Sequence, residues 1–263
     1  MTDLPSFEML KLTRKGRRLD IMLNRPEVLN AFGKVMHIEI IDALRFASAD
    51  EGSDVIVLTG AGKAFSAGGD LVRMEEFQVD PTEFDREAED AKRIIFTLLD
   101  IEKPVVARVN GAAVGLGATV ALFCDVIFAA ERAKIGDPHV KVGLVAGDGG
   151  AAIWPQLIGF ARAKEYLLTG RLLTAAEAVE IGLINHAVPA EELDARVDAF
   201  CEELIGGAAQ AIRWTKVVVN LELKRIAHAL MDPGIAYESL AVRTEDHRKA
   251  VQKMKEEIAK KKE

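Results

Sequence analysis

The sequence is short of cysteine, of net positive charge and of long apolar runs, and each shortage removes a class of protein. Among 263 residues there are 2 cysteines, Cys124 and Cys201. They stand far apart and outside any metal-ligand spacing, so they read as reduced, buried thiols rather than as a disulfide framework. Cys124 falls where an apolar element should pack, which disfavours a catalytic thiol. A formal net charge of −7 argues against nucleic acid as a general partner. No apolar run reaches the roughly 20 residues of a membrane-spanning helix. The amino terminus, MTDLPSFEML, has neither the basic region nor the apolar core of a signal segment, so the expectation is a cytoplasmic protein with no membrane partner. No pair of ligand types recurs at metal-binding spacing, and no Gly-Lys-Ser/Thr follows a glycine cluster, so neither a metal site nor a nucleotide-triphosphate loop is expected.

What is present is a pair of strand-to-glycine-to-helix passages. In the first, a strand over Val55 to Thr59 runs into the turn Lys63-Ala64-Phe65-Ser66-Ala67-Gly68-Gly69-Asp70-Leu71. In the second, Pro104 to Val109 suits a buried strand, Asn110, Gly111, Gly115 and Gly117 allow a tight turn, Ala118 to Leu122 suits a buried helix, and Asp125 to Ala129 returns as a strand. A helix opening on a glycine turn aims free N–H groups outward, where its dipole favours developing negative charge. Two such turns together have the makings of an oxyanion hole.

The rest of the chain fills in around them. Phe7 to Leu12 and Leu19 to Leu23 read as strands joined by a hairpin at Lys15-Gly16-Arg17. Phe32 to Ala49 carries apolar residues at helical spacing. The charged segment Arg73 to Asp90 reads as a mobile flap followed by an amphipathic helix through Ile94, Ile95, Leu98 and Leu99, with its carboxylates, Glu87 among them, on a solvated face. Beyond Trp154 come helices over Phe160 to Thr169 and Thr174 to Ile181, the latter opened by a capping box of Thr174 and Glu177. A short strand over Ile184 to Val188 and helices over Glu191 to Leu204, Ala208 to Leu230 and Ile235 to Lys260 follow. The lysine-rich end, Lys253 to Glu263, reads as a fraying solvated helix or a basic edge for phosphates. His37, His186, His228 and His247 fall outside the glycine motifs.

These words resemble the crotonase superfamily, the enoyl-CoA hydratases and isomerases. The matching segments are Leu23-Asn24-Arg25-Pro26 with Leu29-Asn30-Ala31, Ala64 to Leu71, Asn110-Gly111 through Gly117 with Cys124-Asp125, Gly143-Leu144 with Gly147-Asp148-Gly149-Gly150, Leu168-Thr169-Gly170-Arg171, and Ala175 to Ala178 with Gly182-Leu183-Ile184. The resemblance implies an α/β fold, a spiral of β-β-α repeats over residues 1–195 with a carboxy-terminal helical region over 196–263 that builds trimer contacts, as a homotrimer or a dimer of trimers. It implies an acyl-CoA thioester as substrate, with coenzyme A entering as part of that substrate and no separate cofactor. The backbone N–H groups of Gly69 and Leu116 would form the oxyanion hole, each contributing ~3 kcal/mol, and Ala67, Gly69, Asp70, Leu71 and Leu116 would contact the substrate. Leu116 stands where the family usually has glycine.

The acid-base residues depart further. Hydratases of the family use two glutamates, and the corresponding positions here are Thr119 and His139. A threonine hydroxyl is no general base near neutral pH, whereas a histidine is. Asp148, nine residues on, would hold the imidazole in one tautomer and let His139 activate water. That pairing is similar to a carbon-carbon bond hydrolase branch, the β-diketone hydrolases exemplified by 6-oxocamphor hydrolase, which also employs a carboxy-terminal glutamate, here Glu238. Its further histidine near the glycine turn is Leu116 in this chain. Each residue has a plainer alternative: a structural histidine at 139, a turn aspartate or helix cap at 148, and a surface or interface glutamate at 238. The expected activity is enoyl-CoA hydratase or isomerase. The alternatives are hydrolysis of a β-diketone or 3-oxoacyl substrate by water attack, and a non-catalytic acyl-CoA-binding subunit.

Overall fold

Strands buried on both faces alternate with short strands and helices, and this repeat decides which loops meet. The computed structural model describes residues 3–260. The first two residues of the amino-terminal segment and residues 261–263 of the lysine-rich end lie outside the described residues.

In chain order the elements are β1 Leu10–Lys15, β2 Arg18–Leu23, α1 Lys34–Ala49, β3 Val55–Gly60, β4 Ala64–Ser66, α2 Leu71–Val79, α3 Pro81–Asp100, β5 Val105–Val109, β6 Ala112–Val114 and α4 Leu116–Leu122. Then come β7 Val126–Ala130, β8 Lys134–Gly136, a 3-10 turn at His139–Val142, α5 Gly150–Thr169, β9 Leu173–Thr174, α6 Ala175–Glu180, β10 His186–Val188, α7 Leu193–Ile205, α8 Ala209–Val242 and α9 Glu245–Lys260. One sheet has the order β1-β2-β3-β5-β7-β10 and the other β4-β6-β8-β9. Three successive turns, β3 with β4, β5 with β6 and β7 with β8, each lay one longer strand in the first sheet and one short strand in the second before helix returns the chain, the expected spiral of β-β-α units. The long strands from β2 onward pair in parallel, with Ile56 beside Val105 and Val106 beside Val126. Every residue of β3 is buried, as a central parallel strand requires.

Two asparagines lock the first glycine passage. Asn30 Nδ2 donates to the Ala61 and Ala64 carbonyls, both at 2.9 Å, and Asn110 Nδ2 donates to the same Ala64 carbonyl at 3.1 Å. A buried amide satisfied in this way fixes the loop between β3 and β4.

Three expectations are corrected. The segment expected as a flap is two helices. Asp70 caps α2 through the Val72 N–H, and Asp80 caps α3 through the Thr82 N–H with Pro81 in its first turn, so Asp80-Pro81 starts a helix where it had been read as loop. Glu87 is not on a solvated face: it is 6% exposed and receives Arg73 Nε at 2.6 Å. The helix break after Leu230 is absent, since α8 runs unbroken through Pro233. A proline costs one helical hydrogen bond and crowds the preceding turn, and packing of Gly234 against Gly147 holds the helix at that point. The capping box of Thr174 and Glu177 and the hairpin at Gly16 are as expected. Among the described residues no helix is long and apolar enough to cross a membrane.

Candidate active site

The spiral brings the two glycine passages into contact. Gly68, at φ +87, lies so close to the second passage that a Cβ there would stand 2.6 Å from the Val114 carbonyl oxygen, and a Cβ on Gly117 would stand 2.6 Å from the Ser66 Cβ. Only glycine permits both the left-handed backbone and the approach. Gly69 follows Gly68 and Leu116 precedes Gly117, and both line one pocket of about 80 Å³. The Gly69 N–H is turned away from its neighbour strand, because Phe32 bonds the residues on either side: its N–H donates to Gly68 O, and its carbonyl accepts from Asp70 N. Leu116 is the first residue of α4, whose N–H has no partner within the helix. Its side chain is buried in the pocket wall. Asp70 also lines the pocket and pairs with Arg25 at 3.1 Å. Ala67 and Leu71 flank the turn without lining the pocket.

His139, Asp148 and Glu238 line the same pocket. The 3-10 turn supplies His139, the loop before α5 supplies Asp148, and α8 reaches across to deliver Glu238. Glu238 is 4% exposed, so the reading of it as a surface residue is overturned. His139 Nε2 lies 3.5 Å from Asp148 Oδ2 and 3.7 Å from Glu238 Oε1. These distances are too long for good hydrogen bonds, so Nε2 is left for a third atom.

The orienting role assigned to Asp148 belongs to Asp137. His139 Nδ1 hydrogen-bonds Asp137 Oδ1, and the His139 backbone N–H donates to the same oxygen at 3.3 Å. The reason is local: Asp137 sits two residues before the histidine, across Pro138, and its side chain folds back over the turn. Asp148 is held instead by Thr119 Oγ1 at 3.1 Å and the Gly150 N–H at 3.4 Å. Thr119 therefore serves this site as a donor that aims a carboxylate.

The charges are strongly interdependent. Burial opposes a charged His139, but Asp137, Asp148 and Glu238 outweigh it and hold the imidazole well above its usual range. Burial raises Asp148, reinforced by the like charge of Asp137 and opposed by His139. Burial likewise pushes Glu238 up to about 8, opposed by His139 and reinforced by Asp148. The arrangement therefore favours the charged form of His139 and disfavours ionised carboxylates at Asp148 and Glu238, and the three groups titrate as one cluster. One donor atom from each of Asp137, His139 and Asp148 lies within 4.8 Å of the others, so these are the residues best placed to hold a metal ion.

Sequence reasoning missed Asp137, although its place in Asp-Pro-His is a turn signal. It also missed His37 and Glu87, which line the same pocket from α1 and α3. Nothing in their spacing marks them out, because they meet only through helix packing. His247 is buried with Nδ1 2.6 Å from the Val142 carbonyl, in keeping with a structural role beneath the His139 turn.

The profile described as enoyl-CoA hydratase/isomerase matches residues 16–261. A probable mitochondrial enoyl-CoA hydratase of Dictyostelium discoideum is 36% identical over 225 residues, covering 86% of this chain and 78% of its own. A crotonyl-CoA hydratase of Syntrophomonas wolfei is 34% identical over 217 residues, 82% of each chain. The crystal structure of an enoyl-CoA hydratase/isomerase from Mycobacterium paratuberculosis superposes with a TM-score of 0.89 at 37% identity, covering 96% of this chain and 100% of the other. With the two-sheet spiral and the paired glycine passages, these likenesses make the chain a member of the enoyl-CoA hydratase/isomerase family.

Proposed function

We propose that the protein transforms an acyl-CoA thioester by moving protons at the carbons next to the carbonyl, as a hydratase or isomerase, with a His-Asp-Glu cluster where other hydratases use two glutamates. The observation that carries this reading is convergence: Gly69 and Leu116 line the same pocket as His139, Asp148 and Glu238. The thioester oxygen sits against the N–H groups of Gly69 and Leu116, which stabilise the enolate as charge develops. For hydration, ionised Asp148 takes a proton from water while His139 Nε2–H or protonated Glu238 delivers one to the α-carbon. Dehydration reverses the roles, and isomerisation returns the proton to a different carbon. Asp137 keeps the imidazole charged and in one orientation.

A second reading rests on His139 itself. Both glutamate positions are filled by other residues, and an Asp-anchored histidine suits water attack at a carbonyl, as in retro-Claisen cleavage of a β-diketone or 3-oxoacyl thioester. Exposed Trp214, Val218 and Leu221 at successive turns of α8 support self-association as trimers.

The test is mass spectrometry of products formed in ¹⁸O water from enoyl-CoA, 3-oxoacyl-CoA and cyclic diketone substrates. One labelled oxygen on an intact enoyl-CoA skeleton supports hydration. Label in the carboxylate of a cleaved fragment assigns the cluster to carbon-carbon hydrolysis instead. Absence of any acyl-CoA binding overturns both thioester readings.

A further inference from the structure

The pocket has a second set of polar side chains, on helices that do not carry His139, Asp148 or Glu238. The lining from α1, α2 and α3 is mostly apolar, with Phe77, Phe84, Ala88 and Ala91, yet it also contains His37 and Glu87. A hydrocarbon chain has no use for either. Both side chains are more than nine-tenths buried, a place where polar groups persist when something bonds them.

Their free atoms are of one kind. His37 Nδ1 lies 3.0 Å from the Gly33 carbonyl oxygen. A carbonyl only accepts, so Nδ1 carries the hydrogen and Nε2 presents a lone pair. Burial pushes the ring's pKa down to about 4, so it stays neutral and Nε2 stays an acceptor. Glu87 takes Arg73 on Oε1 and leaves Oε2 without a donor among the described residues. His37 Nε2 likewise has no partner among them. Two acceptors therefore line a largely apolar wall. Arg73 is already shared by Glu76, Glu83 and Glu87, so its charge is neutralised and it offers little to an anionic ligand.

We infer that the acyl group this pocket selects is neutral and bears a hydroxyl away from the thioester, donating its hydrogen to His37 Nε2 or Glu87 Oε2. The inference rests on the acyl-CoA reading of the site and adds the substrate class. A plain hydrocarbon acyl group would strand both acceptors, and a terminal carboxylate would meet Glu87. Sites that bond a substrate hydroxyl discriminate strongly against the analogue without it, because the stranded polar group is penalised.

The experiment uses three enoyl-CoA thioesters of equal chain length, ending in methyl, hydroxyl or carboxylate, and measures both calorimetric binding and kcat/KM. The wild type is expected to favour the hydroxyl compound over the methyl one by about tenfold to a hundredfold, with the carboxylate poorest. His37→Phe removes the acceptor at similar shape, and the hydroxyl-to-methyl ratio should collapse towards one. His37→Gln, which can present an acceptor oxygen near the Nε2 position, should restore part of it. Equal affinity of the wild type for the hydroxyl and methyl compounds overturns the inference while leaving the acyl-CoA reading intact. So does a ratio unaltered by His37→Phe. A hydroxyl preference in binding without turnover supports the inference and counts against the proposed chemistry. Failure to bind any of the three overturns both.

Discussion

Asp137→Asn separates the two roles open to His139. The substitution removes one charge and keeps the side-chain volume, which matters because the Asp137 side chain is fully buried and a Cβ on Gly150 would stand 2.0 Å from its Oδ2. Two unit charges about 4 Å apart at an effective dielectric of about 20 interact by about 4 kcal/mol, equivalent to about three pH units in a pKa. Asp148 and Glu238 still face Nε2 in the variant, so the His139 pKa should fall while the imidazole keeps two carboxylate neighbours. The assay is the pH dependence of kcat/KM on an enoyl-CoA that the wild type turns over. If the imidazolium is the working form, activity is lost as pH rises through its pKa. The basic limb of the variant should therefore move to lower pH, with kcat/KM near neutrality reduced about tenfold to a hundredfold through the lost charged hydrogen bond. A basic limb that does not move, or a variant more active than the wild type near neutral pH, would refute the assignment and return His139 to the role of free base.

Other expectations follow from burial and backbone geometry. Glu238, with its pKa raised to about 8, contributes stability that is present below its unfolded pKa near 4.5 and lost as pH rises through about 8. Glu238→Gln should therefore gain on the wild type by a few kcal/mol, to order of magnitude, between pH ~5 and pH ~9 in urea denaturation, and parallel pH profiles would contradict this. Gly68→Ala, forced to φ +87 and against the Val114 carbonyl, should lose roughly 1–3 kcal/mol of stability and a larger share of activity, because Gly69 moves with it. Comparing the denaturation midpoint with kcat/KM checks both. Lys103 Nζ donates to the Ala47 and Asp50 carbonyls at 2.7 and 2.6 Å, and burial lowers its pKa to about 8. Its buried charge penalises the fold below that pH, and the penalty eases as pH rises from about 8 towards 10.5. Lys103→Met should be less stable by roughly 1–3 kcal/mol, with a gap that widens over that interval, and a constant gap in denaturation midpoints would count against this account.

Much of the fold was legible because the glycine passages and capping signals are local. Thr174 with Glu177 starts a helix wherever it occurs, and a glycine at 68 or 115 marks a turn without knowledge of its neighbours. The site was legible only in outline. His139 and Asp148 stood out because they lie among such turns, whereas the division of labour between Asp137 and Asp148 depends on which ring nitrogen each meets, a matter of rotamers. Glu87 reads as part of a solvated face, and a surface place is the plainer alternative for Glu238, because charge on a helix usually is solvated. Their burial comes from the crossing of α8 and α3 over the pocket, which no periodicity encodes. The break expected between Leu230 and Ile235 is absent for the same reason, since the contact beside Pro233 that accompanies the continuous helix lies in a distant loop.

That contact also sets an order of events in synthesis. Gly234 presses on Gly147 closely enough that a Cβ on Gly147 would stand 2.3 Å from the Gly234 carbonyl oxygen, and Glu238 lies one helical turn further along. A chain leaving the ribosome therefore exposes both glycine passages, the histidine and two of its aspartates well before the last carboxylate emerges. Until α8 docks glycine to glycine, the imidazole has only Asp137 and Asp148 for company, and the nascent protein has no third acid with which to work. Completion of the buried His-Asp-Glu cluster is thereby tied to completion of the fold, and a truncated product that ends before this helix keeps His139, Asp137 and Asp148 but lacks Glu238.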